Sequence, residues 1–89
     1  MSGLEFFVGD AQRCAELFRL GRDVEAGLVM IDLIGAVHPH FESTSQPSQQ
    51  QWAFLLGEMF ACQEAQNWIA LADYLEYELV EVLTDSLSV

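Results

Sequence analysis

The chain has no lysine, and its fixed cations are confined to Arg13, Arg19 and Arg22. From Asp23 onward eleven carboxylates stand without any fixed positive charge: Asp23, Glu25, Asp32, Glu42, Glu58, Glu64, Asp73, Glu76, Glu78, Glu81 and Asp85. Glu5, Asp10 and Glu16 balance the three arginines, so the formal charge of −11 belongs to residues 23–89. Such an excess costs the folded chain self-repulsion, which solubility or a basic partner offsets. It argues against nucleic acid and anionic membranes as partners, because both surfaces repel it.

Other scarcities narrow the class further. Cys14 and Cys62 are too few for a disulfide framework, and both lie in apolar periodic segments, which predicts free buried thiols. MSGLEFFVGD has no basic n-region of a secretory signal. The longest apolar stretch, residues 27–37, is interrupted by Asp32 and too short to cross a bilayer. Together these features predict a cytoplasmic protein. An acidic disordered tail is excluded, since 52% of the residues are hydrophobic and six Phe, two Trp and two Tyr are available for packing. Eighty-nine residues predict a single helical domain over 1–89, with one modest core.

No segment alternates with a strand period; four carry the helical one. Ser2 and Glu5 form an S-x-x-E capping box, followed by Leu4, Phe7, Ala11, Cys14 and Phe18 at spacings of three and four. Gly9 is a point of division, with Asp10 as a second N-cap, and Gly21 suits the residue after the helix end. Asp23 is the expected cap of a second helix, with Val24, Leu28, Ile31 and Gly35 on one face and Val29, Met30, Leu33, Ile34 and Val37 over much of the rest. So apolar a helix is expected at the centre of its bundle. Pro39 should end or kink it at His38. Residues 42–51 read as the one clear loop, with Ser48 and Gln51 capping a third helix that carries Trp52, Leu55, Leu56, Met59, Phe60 and Cys62. Residues 63–67 mark a polar joint or a continuation. A fourth helix spans about Trp68 to Thr84, with Trp68, Leu71, Ala72, Leu75, Leu79, Val82 and Leu83 inward. The expected fold is all-α: a small antiparallel four-helix bundle or two packed helical hairpins.

Reaction chemistry has little to stand on. His38 and His40 flank Pro39 and diverge, whereas zinc needs three or four converging ligands. Asp85-Ser86-Leu87 matches the tripeptide that carries the prosthetic arm of acyl carrier proteins. There the serine opens the second helix with half the domain after it; here two residues follow, so the match reads as coincidence. There is no Gly-rich phosphate loop and no nucleophile–base pair at recognisable spacing. Asp73, Glu76 and Glu78 read as surface charges rather than acid–base pairs. No catalytic, cofactor or metal residues are assigned, and the chain is not expected to be an enzyme.

The fourth helix carries the pattern of a binding surface. At about 100° per residue, Asp73, Tyr77 and Glu81 share an arc opposite the apolar one, with Tyr74 beside them and Glu76 bordering the stripe. A tyrosine between carboxylates is suited to anchor an interface with a partner rich in Arg or Lys.

The run Leu71-Ala72-Asp73-Tyr74-Leu75-Glu76-Tyr77-Glu78-Leu79, within residues 66–79, resembles a segment near the C-terminus of small helical immunity proteins. These accompany bacterial polymorphic toxins, including those of contact-dependent growth-inhibition systems. The turn at residues 21–27, GRDVEAG, is similar to that group as well. The resemblance covers about a third of the chain. It implies a cytosolic antidote that binds one toxin domain, often a nuclease, with no catalytic residues of its own. Acids on adjacent helical turns stand about 6 Å apart, near the spacing of successive phosphates, and so can occupy a basic substrate groove. The alternative is an acidic adaptor or secretion chaperone that binds an amphipathic client segment and presents an apolar groove.

Overall fold

The computed structural model describes residues 3–87. They form α1 (Gly3–Arg19), α2 (Asp23–Glu42), α3 (Gln46–Glu64), α4 (Trp68–Asp73), a π turn (Tyr74–Glu78) and α5 (Leu79–Leu87). The last three run together as one rod, so the architecture is a small all-α bundle of four helical rods, with no strand among the described residues. Three-residue joints separate α1 from α2, α2 from α3 and α3 from α4, and joints this short make sequence neighbours run antiparallel.

The first and third joints end their helices in the same way. Gly21 adopts a left-handed φ of 79° after α1. There the Arg22 N–H bonds to the Leu17 carbonyl and the Gly21 N–H to that of Phe18, the paired bonds of a Schellman cap. After α3, Gln66 takes the left-handed position at φ 57°. The Asn67 and Gln66 N–H groups bond to the Cys62 and Gln63 carbonyls. Asn67 then caps α4, its side chain accepting from the Ala70 N–H.

The helix boundaries differ from expectation at several points. Ser2 lies outside the described residues. Gly9 does not divide α1, which runs unbroken from Gly3 to Arg19. Arg22, not Asp23, occupies the N-cap of α2 through its backbone, while Asp23 and Glu25 sit in the first turn where the helix dipole favours acids. Pro39 does not end α2, which continues to Glu42. Proline forfeits one intrahelical bond, but Phe41 beyond it stacks on Trp52 at 4.7 Å with ring planes 2° apart. The Trp52 indole N–H also donates to His38 Nδ1 at 2.9 Å, so both sides of the proline are held against α3. The loop shrinks to residues 43–45. Ser45 caps α3 by accepting from the Ser48 N–H, Pro47 sits in the first turn, and Gln49 donates back to the Glu42 and Thr44 carbonyls. Residues that looked loop-like are helical because proline in a first turn costs nothing.

The buried residues form one cluster. α1 supplies Phe7, Ala11, Cys14, Ala15, Leu17 and Phe18, and the last rod supplies Leu71, Ala72, Leu75, Leu79 and Leu83. α1 is fastened at both ends: Phe18 stacks on Trp68 at 5.4 Å, and Phe7 meets His40 edge-on at 5.2 Å. Small residues bring α1 close to α2, where the Cys14 thiol donates to the Ala26 carbonyl at 3.3 Å. Burial, which disfavours the thiolate, pushes Cys14 up to about 12, against the opposing pull of Arg13.

The largest departure concerns α2. Ala26, Met30, Leu33, Val37 and Phe41 are buried, but the expected apolar face is not: Val24 is 76% exposed, Leu28 64% and Ile31 60%. α2 packs on the outside of the bundle, not at its centre. Its length and a mean hydropathy of 1.2 also match a membrane span by composition, although its other face is part of this core. The apolar composition of α2 therefore serves two surfaces, one inside and one outward.

Two expectations follow. Leu75→Ala should cost about 2–5 kcal/mol of stability, because it opens a cavity at a fully buried position. Leu28→Ala should change stability by under about 0.5 kcal/mol, because that side chain already faces water. Thermal melts of the two variants check both, and similar losses would put Leu28 in the core. In the native protein, Ellman's reagent should reach the half-buried Cys62 first and Cys14 only after unfolding. Equal native rates for both thiols would show that Cys14 is accessible.

Candidate functional site

The last rod must keep Leu71, Leu75, Leu79 and Leu83 inward, four residues apart each time. On a regular α-helix a step of four residues drifts by about 40°, so three steps would carry the leucines about 120° round the rod. The π turn absorbs this drift. Within it the Leu79 N–H bonds to the Tyr74 carbonyl, five residues back. All four leucines are fully buried as a result. The inserted width falls at Tyr74–Glu78 and sets how the tyrosines and acids of this segment are displayed.

Tyr77 is 61% exposed, and Phe54 on α3 is 71% exposed. With Ala70, Asp73, Tyr74 and Glu78 they line a shallow groove of about 520 Å³ between α3 and the last rod. Tyr74 forms its half-buried floor, and its hydroxyl donates to Glu58 Oε1 at 3.1 Å. That bond, reinforced by desolvation and by the Glu58 charge, holds the Tyr74 phenol above the usual tyrosine range. The groove thus offers two exposed rings with carboxylates around them.

Of the residues expected on this surface, Asp73, Tyr74 and Tyr77 come together in the groove. Glu76 does not; it turns toward α1 and lines a second shallow depression with Gln12, Arg13, Glu16 and Arg19. Glu81 is exposed but lies outside the groove lining, because the π turn breaks the straight stripe drawn at constant pitch. Arg19 joins the two sides. One guanidinium nitrogen donates to Asp73 at 2.7 Å and the other to Glu76. These bonds, that to Asp73 foremost, hold the guanidinium above its already high range. Two of the acids expected to meet a partner are therefore already engaged within the molecule. A third ion pair links Arg22 and Glu25 at 3.4 Å. Asp23, Asp32, Glu42, Glu58, Glu64, Glu78, Glu81 and Asp85 have no arginine within 4.0 Å among the described residues.

Sequence reasoning missed Phe54, Glu58 and Arg19. The first two lie four residues apart on α3, away from the buried face of Trp52, Leu55 and Met59, so the outer face of that helix carried a readable signal. The engagement of Arg19 is a contact 54 and 57 residues distant in sequence, which no local pattern reveals.

The remaining motifs lie outside the groove lining. His38 and His40 turn to different helices, toward Trp52 and Phe7. No group of three His, Cys, Asp or Glu that could hold a metal occurs among the described residues. The Ser86 hydroxyl is shut off from solvent on α5, where a carrier serine has to be reachable. No protein-family model, curated protein or solved structure matches this chain.

The Tyr74–Glu58 bond makes a titration expectation. The folded-state value of the phenol is raised, so its contribution to stability is complete below the ordinary tyrosine range and is lost as pH rises on through the raised folded-state value. Alkaline titration followed by phenolate absorbance should show a tyrosine that ionises late, and Glu58→Gln should bring it down. An unchanged curve for Glu58→Gln would mean that the bond is absent in solution.

Proposed function

We propose that this chain is a cytoplasmic immunity protein that binds a basic bacterial toxin domain, a nuclease by preference, through the groove of Phe54, Asp73, Tyr74, Tyr77 and Glu78, and so neutralises it. The observation that carries the reading is the pair of exposed aromatic rings set among carboxylates on a chain of charge −11. Aromatic side chains that are rigid and already positioned make efficient interface anchors, and the surrounding acids complement Arg and Lys. The π turn adds support, since such turns concentrate at functional positions. The resemblance of residues 71–79 to immunity proteins falls on this same segment. Glu78 and Glu81 are the acids that would stand in for phosphates, while Glu58 already accepts from Tyr74 and Asp73 and Glu76 share Arg19 with any incoming cation.

A second reading, an acidic adaptor or secretion chaperone, is favoured by the outward apolar face of α2. An antidote acting through the groove makes no use of that face.

The test is co-expression with a candidate basic toxin domain, sought first among the genes adjacent to that of this chain. The wild-type chain should restore growth, and Phe54→Ala with Tyr77→Ala should not, while both proteins melt alike. With purified components the double variant should bind at least about 30-fold more weakly, in line with the loss of two anchors. Association should also slow steeply between about 0.05 and 0.5 M salt. Full protection by the double variant would exclude the groove, and no protection by the wild-type chain would exclude the immunity reading.

A further inference from the structure

The outward face of α2 is a second surface, independent of the groove. Val24, Leu28, Ile31 and Gly35 follow one another at spacings of four, three and four, the seam spacing that one helix presents to another. All four face outward, and the first three are large aliphatic side chains. The groove and α2 lie on different flanks of α3. Phe54 lines the groove toward the last rod, whereas Ala53 and Leu56 line the cleft toward α2. Near the start of α2, Gly27 lies against the Gln63 side chain, about 3.9 Å from where a Cβ would stand.

The charge around the stripe selects its occupant. Asp32 borders it on α2, and Glu25 on the same side is shared with Arg22, the one fixed cation in residues 22–42. A second copy of this chain would set acidic borders against each other. The stripe rises about 17 Å, or three turns, which is the length of one short helix. A single helix with the opposite charge satisfies both conditions. We propose that the α2 face binds a cationic amphipathic helix, about three to four turns long, with aliphatic residues at three–four spacing and Lys or Arg along its borders. This holds whether or not the groove binds a toxin, and it would give the client of the adaptor reading its chemistry.

The test uses the whole chain and a labelled synthetic helix of about 18 residues, with Leu at three–four spacing and Lys on both borders, read by fluorescence anisotropy. Binding should weaken at least about 10-fold for Leu28→Glu or Ile31→Glu, for a peptide with Glu in place of Lys, and between 0.05 and 0.5 M salt, roughly. It should be unchanged by Phe54→Ala or Tyr77→Ala, which separates its failure from that of the groove. If a Glu variant loses its helical circular dichroism, Leu28→Ser with Ile31→Ser replaces it. Any of four results overturns the proposal: no peptide binding up to millimolar concentration, equal binding of the Glu-bordered peptide, equal binding by the α2 variants, or a dimer in light scattering that Leu28→Ser abolishes. Retention on neutral phosphatidylcholine vesicles in place of the peptide would assign the face to lipid and overturn it as well.

Discussion

The last rod must hold four leucines inward at a spacing that a regular helix cannot keep on one side. Leu71, Leu75, Leu79 and Leu83 are the wall against which α1 closes, and each is fully buried. Keeping them aligned requires one widened turn. That turn falls where the chain carries Tyr74, Glu76, Tyr77 and Glu78, so the demand of the core decides the display of the surface. A straight helix would have put Asp73, Tyr77 and Glu81 in a line. The widened one gathers Asp73, Tyr74 and Tyr77 beside Phe54 and sends Glu76 to the other side.

Charge is organised by the same rod. All three arginines lie on α1 or in the turn after it, so residues 23–89 have no cation of their own. Arg19 reaches across and takes two carboxylates of the last rod at once. Exposed ion pairs contribute little to stability, so the significance of this fork lies in position more than in energy. It fixes two acids in place and leaves Glu78 and Glu81 as the uncompensated ones nearby. Further acids are spread over α2, α3 and α5, where their self-repulsion persists.

The all-α class and the inward residues of α1 and the last rod were legible, because spacings of three and four in Phe7, Ala11, Cys14 and Phe18 are read directly as one face. The position of α2 was not. Its residues are apolar on both sides, and periodicity cannot say which of two apolar faces the rest of the chain covers. Of the two outcomes a local rule allowed at Pro39, an end or a kink, the end is ruled out: α2 continues to Glu42, with Phe41 stacked on Trp52 beyond the proline. At the candidate site, Asp73, Tyr74 and Tyr77 were legible as an outward arc, while Phe54 and Arg19 come from other helices and reach the site only through the fold.

The two tryptophans divide the molecule between them. Trp52 lies sandwiched at the α2–α3 end by Phe41 and bonded to His38, and Trp68 lies at the α1–α4 end against Phe18. The ring partners of the two are different residues. Each indole is thus a built-in optical reporter of one junction, with the imidazole beside Trp52 as a local quencher. Fluorescence from single-tryptophan versions of the chain can therefore resolve whether the outer hairpin of α2 and α3 loosens before α1 parts from the last rod.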